Sequence, residues 1–179
     1  MRYLVVFAFA LVLSCKNESS NSDGTQVTEK VENDVVTDQF QLEVYDYDGL
    51  EPLINKDDDK IHVVNFWATW CAPCVKELPY FEAIREKYKD KGVEVLLASL
   101  DFPDTYDTKL KPFIKKHDLQ SRVVAFDDTD QNRWISAINE NWSGALPATI
   151  IYKGDQRQFY EKSFTQDELE TELKLFLKY

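Results

Sequence analysis

The chain has 179 residues, 44% of them hydrophobic and 13% aromatic, which is enough for one good core and too few for two comfortable domains. Its 32 acidic against 21 basic side chains give a formal charge of −11, so phosphate is repelled at long range and nucleic acid is excluded as a general partner. Three cysteines, two of them a close pair, do not make a disulfide-stapled fold and point instead to redox chemistry.

Met1 to Leu13 holds one positive residue, Arg2, and then an uncharged, almost wholly apolar run from Tyr3 to Leu13. That run is too short to span a bilayer and fits the h-region of a signal peptide over residues 1–14. Its end, V-L-S-C, resembles a bacterial lipobox, with Val12 where Leu is more usual. The resemblance implies cleavage before Cys15 and lipid on that cysteine; an ordinary secretory signal with a chance cysteine is the alternative. Lys16 to Gln39 is rich in Ser, Asn, Asp, Glu, Thr and Val and lacks aromatic residues, so it cannot bury enough apolar surface to offset its ordering entropy. Residues 15–39 therefore read as a flexible tether with an r.m.s. reach of ~25–30 Å. A short amphipathic element carrying Val27, Val31, Val35 and Val36 is the competing reading.

The domain then occupies residues 40–179. Phe40 to Tyr47 reads as an edge strand, Gly49 to Ile54 as a short helix, and Lys56 to Lys60 as a charged turn. Ile61 to Trp67 has the length and residue types of a buried strand, and Cys71 to Tyr88 those of a helix that faces Leu78, Phe81, Ile84 and Tyr88 to the core. Pro79 inside that helix removes a backbone hydrogen bond and is expected to kink it. Gly92 ends the segment and Val93 to Leu100 reads as a second buried strand, so residues 61–100 make a right-handed βαβ unit. A helix over Phe113 to His117 follows Pro112, then a strand over Arg122 to Phe126, then a helix over Asn132 to Asn139. Ala148 to Tyr152 and Gln158 to Glu161 form a hairpin through Lys153, Gly154 and Asp155. The last helix starts at N-cap Thr165 with Glu168 as its capping-box partner and Phe164 and Leu169 as a hydrophobic staple, and it faces Leu169, Leu173, Phe176 and Leu177 to the sheet.

The chemistry sits in W-C-A-P-C, where Cys71 stands at a strand-to-helix turn. A helix N-terminus has free backbone N–H groups and the positive end of the macrodipole, so it favours a thiolate over a thiol at Cys71. Cys74, one turn further along on the same side, lies within bridging reach, and the pair can cycle between dithiol and disulfide. Zinc would need four ligands, and the only other candidates are Cys15, His62 and His117, so no metal site is expected. A purely structural bridge closing so short a loop would remove little chain entropy.

W-C-A-P-C after a strand ending N-F-W-A-T resembles the thioredoxin superfamily, and more narrowly its membrane-tethered TlpA/ResA-like thiol–disulfide oxidoreductases, over roughly residues 42–179. The resemblance implies an α/β thioredoxin-like fold: a central mixed β-sheet flanked by helices, with an added strand–helix element and an N-terminal extension. It implies that Cys71 is the nucleophile, that Cys74 resolves the mixed disulfide, and that Ala72 and Pro73 tune the pair. Pro147 is expected in a cis bond after Leu146, facing the cysteines and turning the Leu146 backbone toward a substrate strand. Glu77 matches the active-site glutamate of ResA-like proteins and can move a proton during resolution. Asn65 replaces the buried aspartate of cytoplasmic thioredoxins. Trp67 reads as core and Trp70 as rim; Trp142 is a candidate third wall of the groove, with core packing the alternative. His62 and His117 have no evident partner and read as structural.

Function follows as an expectation: an enzyme of the bacterial cell envelope, facing the periplasm from either membrane, anchored by lipid on Cys15 and reducing protein disulfides with no cofactor beyond its own cysteine pair. Its partners would be protein thiols and disulfides, such as apocytochrome c cysteines before haem attachment, and a membrane thiol donor of electrons. A disulfide oxidase or isomerase would carry the same residues and differ in potential. A thiol peroxidase of the peroxiredoxin type shares the fold but places Thr three residues before its cysteine, where this chain has Ala68. A non-catalytic binding module keeping the groove is the remaining rival.

Overall fold

The computed structural model describes residues 41–178. The expected signal peptide and tether, Cys15 with them, and Phe40 lie outside the described residues.

The elements run β1 (Glu43–Tyr45), α1 (Tyr47–Ile54), β2 (Ile61–Trp67), α2 (Ala72–Tyr88), β3 (Val93–Ser99), α3 (Lys111–Lys116), β4 (Arg122–Phe126), α4 (Gln131–Ile138), β5 (Ala148–Lys153), β6 (Gln156–Tyr160) and α5 (Gln166–Phe176). The strands form one mixed sheet in the order β1-β4-β3-β2-β5-β6. The β1–β4, β4–β3 and β3–β2 pairs are parallel, whereas β5 runs antiparallel to β2 and β6 to β5. All seven residues of β2 are buried, because the strand is central and both faces of the sheet are covered, which explains why it reads as an unbroken apolar run.

On one face α2 and α5 pack Leu78, Phe81, Ile84, Leu169, Leu173 and Phe176 against Val63, Val95, Leu97 and Ile151. On the other face α1 and α4 pack Leu50, Ile54, Trp134 and Ile138 against Val64, Phe66, Ala98 and Ile150. The added strand and helix are β4 and α3. They leave β3, and β4 returns between β3 and β1. Among the described residues no helix is long and apolar enough to cross a membrane.

Several boundaries differ from the sequence expectation for local reasons. The edge strand stops at Tyr45, because Asp46 caps a helix: its side chain accepts from the Gly49 N–H, and α1 therefore starts at Tyr47 and not at Gly49. Ahead of α3, a π-helical stretch over Tyr106–Leu110 precedes Pro112. The β5–β6 hairpin closes through Gly154 and Asp155 alone, with Gly154 at φ +52°, so both strands reach further toward the turn than expected. Helix α2 is one continuous element through Pro79. At α5 the capping box forms, Thr165 and Glu168 each bonding the other's backbone N–H.

Candidate active site

The parallel strands β2 and β3 end side by side, and their C-terminal ends build the turn that holds Cys71. The buried Asp101 carboxylate, just past β3, accepts the Thr69 N–H at 2.9 Å, the Thr69 hydroxyl, and the Ser99 hydroxyl at 2.8 Å. The Leu100 N–H donates to the Trp67 carbonyl and the Cys71 N–H to the Ala68 carbonyl, which closes the turn. Cys71 is then the N-cap of α2, with Ala72 and Pro73 opening the helix, and its Sγ accepts the Cys74 N–H at 3.3 Å. That N–H and the positive end of the helix dipole favour negative charge on this sulfur. The two cysteines are joined as a disulfide, with Cα atoms 5.2 Å apart. Cys74 is fully buried, whereas Cys71 keeps 6% of its surface exposed and lines a groove.

The Leu146–Pro147 peptide bond is cis, as the resemblance implies. Leu146 borders, together with Cys71, a groove of about 540 Å³ whose lining contains no charged side chain. Trp70, Ala72 and Pro73 form part of its rim. Trp70 is 56% exposed and lies 6.2 Å from the ring of Phe102, itself 62% exposed. Trp142 is not a wall of this groove. It is buried against Phe66, Trp134 and Phe159 and donates its Nε1–H to the Ala145 carbonyl at 2.9 Å, so it supports the loop before Pro147 from behind. Phe102 and Ile135 supply the wall instead. Phe102 gave one signal in the sequence: it follows closely on a parallel strand's C-terminal end, where open α/β sheets place their sites.

Glu77 lies one turn beyond Cys74 and is fully buried. Burial pushes its carboxyl pKa up. The Phe164 N–H at 2.7 Å, the Ser163 hydroxyl at 3.0 Å and the Asn65 amide at 3.1 Å offset part of that. Asn65 also donates to Thr149 Oγ1 at 3.1 Å, so it ties Glu77 to β5, the strand that follows the cis-proline. Trp67 is core, packed on Phe113. His62 does have partners, contrary to the sequence reading: its Nε2 is 2.7 Å from Asp58 and its ring stacks on Tyr152, at the far end of β2 from the cysteines. His117 stacks on Phe113. Among the described residues no group of three or more His, Cys, Asp or Glu side chains is placed to hold a metal ion.

The sequence profile of the AhpC/TSA family matches residues 37–157, and the ResA thiol-disulfide oxidoreductase of one Bacillus cereus strain is 36% identical over 138 residues, covering 76% of this chain and 69% of that protein. The chain is a ResA-like member of the AhpC/TSA family. Another relative, the ResA thiol-disulfide oxidoreductase of a second Bacillus cereus strain, is 37% identical over 59% of this chain and 54% of its own length. Against this and a Bacillus thuringiensis relative, of which 51% is covered, the chain spans about half the relative's length. Among solved structures, a thioredoxin-related protein from Neisseria meningitidis serogroup B superposes with a TM-score of 0.57 at 24% identity, covering 68% of this chain and 88% of that one. A thiol:disulfide interchange protein of the thioredoxin family from Chlorobium tepidum TLS gives 0.56 at 17% identity, covering 66% and 81%. These likenesses establish the thioredoxin-like fold.

Proposed function

We propose that this ResA-like protein is an extracytoplasmic thiol–disulfide oxidoreductase that reduces protein disulfides through Cys71 and Cys74. The observation that carries the proposal is the asymmetry of the pair: Cys71 opens on an uncharged groove with a helix N–H on its sulfur, and Cys74 is sealed behind it.

In the reduced enzyme the Cys71 thiolate attacks one sulfur of the substrate disulfide. The S–S bond breaks, the departing sulfur takes a proton from solvent, and a mixed disulfide to Cys71 forms. Cys74 then gives up its proton, with Glu77 as acceptor, and attacks Cys71 Sγ. The second substrate sulfur leaves and is protonated in turn, so two electrons have passed to the substrate and the enzyme is left as the disulfide. A membrane thiol donor returns the two electrons. Ala72 and Pro73 set the balance between dithiol and disulfide, while Leu146, next to the cis-proline, and Trp70 hold the substrate segment across the groove. Apocytochrome c cysteine pairs before haem attachment fit this substrate class. Lipid on Cys15 and the segment after it hold the domain at the cell envelope; loss of palmitate labelling in a Cys15→Ala chain is the expected sign of that anchor.

The test is trapping. A Cys74→Ser variant, reduced and mixed with a disulfide-bonded protein, is expected to accumulate a mixed disulfide that dithiothreitol releases and that a Cys71→Ser, Cys74→Ser chain does not form. Failure to trap any polypeptide would contradict the reading.

A further inference from the structure

The connection between β6 and α5, residues 161–165, touches both halves of the site. From its C-terminal part, the Ser163 hydroxyl and the Phe164 N–H hold Glu77. From its first residue, the half-buried Glu161 carboxylate reaches the loop that enters the cis-proline. One oxygen accepts the Ser143 N–H at 3.2 Å; the other accepts the Ser143 hydroxyl and, at 3.1 Å, the Ala145 N–H. That loop has no regular secondary structure of its own, and Leu146 and Pro147 follow it directly. Gly144 sits at φ +89°, and a Cβ there would come within 3.0 Å of Ile135 Cδ1, so the loop is pressed against the groove wall. Trp142 fixes only the Ala145 carbonyl from the core side. The N–H side is fixed by Glu161.

We propose that Glu161 is a positioning residue for substrate: by gathering the three donors of Ser143 and Ala145 it holds Leu146, the residue before the cis-proline, at the edge of the groove that Cys71 lines. The inference rests on the reading of Leu146 as a substrate-pairing position, given above. It implies a division of labour in which Glu161 acts on recognition of a polypeptide and leaves the reactivity of Cys71 alone, since its hydrogen bonds among the described residues end on the loop.

The experiment compares wild type, Glu161→Ala and Glu161→Gln by amide hydrogen exchange and by turnover of two substrates, an unfolded disulfide-bonded polypeptide and a small aromatic disulfide that needs no docking edge. In Glu161→Ala the Ser143 and Ala145 amides should exchange at least about tenfold faster, while those of α2 are unaffected. KM for the polypeptide should rise about tenfold with kcat within about twofold, and the rate with the small disulfide should change by less than about twofold. Glu161→Gln keeps one acceptor oxygen and should recover part of the KM. Should Glu161→Ala fail to fold, Ser143→Ala removes one donor and should give the same pattern in smaller degree. Equal losses on both substrates, or unchanged exchange at Ser143 and Ala145, or faster exchange with unchanged KM, would each overturn the proposal. If the wild type itself reduces no polypeptide, the reductase reading fails, and the exchange data still decide whether Glu161 holds the loop.

Discussion

At the C-terminal ends of β2 and β3 the groove beside Cys71 has about 540 Å³ and no charged side chain in its lining. The cleft at the opposite end of the same strands, about 360 Å³, is bordered by Lys56, His62, Arg85, Lys89, Glu94 and Arg122. Every one of those polar groups already has a partner: Lys56 with Glu94 at 2.7 Å, Arg122 with Glu43 at 2.9 Å, Arg85 with Glu82 at 3.2 Å, Lys89 with Glu86 at 2.6 Å and His62 with Asp58 at 2.7 Å. The lower cleft is thus charged yet closed on itself. At the upper end Trp70 and Phe102 stand in solvent and, among the described residues, have only each other for ring partners. An uncompensated apolar surface beside a cysteine pair is a better mark of a binding site than a smaller cleft whose charges are matched within the chain.

The strongest way to break this comparison is to remove chemistry at one end and charge at the other. Cys71→Ser is expected to abolish turnover of protein disulfides, while Glu94→Gln in the lower cleft should leave the rate within about twofold. A loss with Glu94→Gln comparable to that with Cys71→Ser would mean that the lower cleft takes part in the reaction.

Stability separates the two ends next. Glu77→Ala strands the Phe164 N–H, the Ser163 hydroxyl and the Asn65 amide around a buried cavity, and should lower the unfolding free energy by about 2–4 kcal/mol. Arg122→Ala at the lower end breaks an exposed pair with Glu43 and should cost at most about 1 kcal/mol, less at high salt. Urea midpoints give both values, and equal costs would put the two networks in one class.

Recognition comes third. Trp70→Ala and Phe102→Ala should each raise KM for a polypeptide disulfide by about three- to tenfold, through loss of a large apolar contact at the groove. Michaelis–Menten kinetics with a polypeptide and a small disulfide separate this from damage to Cys71, which would slow both.

The smallest effect is in pH. Burial raises the folded-state pKa of Glu77 above its ordinary value, so between the two values the folded chain binds more protons than the unfolded one. The contribution of Glu77 is therefore full below the unfolded value, near 4.5, and is lost as pH rises through the raised folded value. Glu77→Gln should flatten that part of the stability profile, because its amide cannot ionise. Rotation of the Asn65 amide would bring to it Oδ1, which has no hydrogen-bond partner among the described residues. Urea midpoints between pH 4 and pH 8 read the slope, and an unchanged slope would show that another group carries it.

What was legible in the sequence was local. The Ile61–Trp67 run, the strand-to-helix turn at Cys71 and the Thr165–Glu168 capping box each draw on residues within one or two turns, and the structure has them. Boundaries slipped where a short polar side chain decided them, as Asp46 does by capping α1 and cutting the edge strand to three residues. The supports of the site were not legible. Asp101 holds Thr69 from 32 residues away, Ser163 holds Glu77 from 86, and Glu161 reads simply as a charge at a strand end until its partners on the cis-proline loop are seen. Trp142 stayed open between groove wall and core, because its closeness to Pro147 in sequence does not say on which side of the loop the ring lies; the structure packs it in the core with Phe66 and Trp134.

The most direct test of the reductase reading is the equilibrium reduction potential of the Cys71–Cys74 pair, titrated in a dithiothreitol or glutathione buffer. A reversible two-electron transition near that of thioredoxin, about −270 mV, is the predicted result. A potential near −120 mV would make the protein a disulfide donor, and the absence of any reversible transition would remove the redox function altogether.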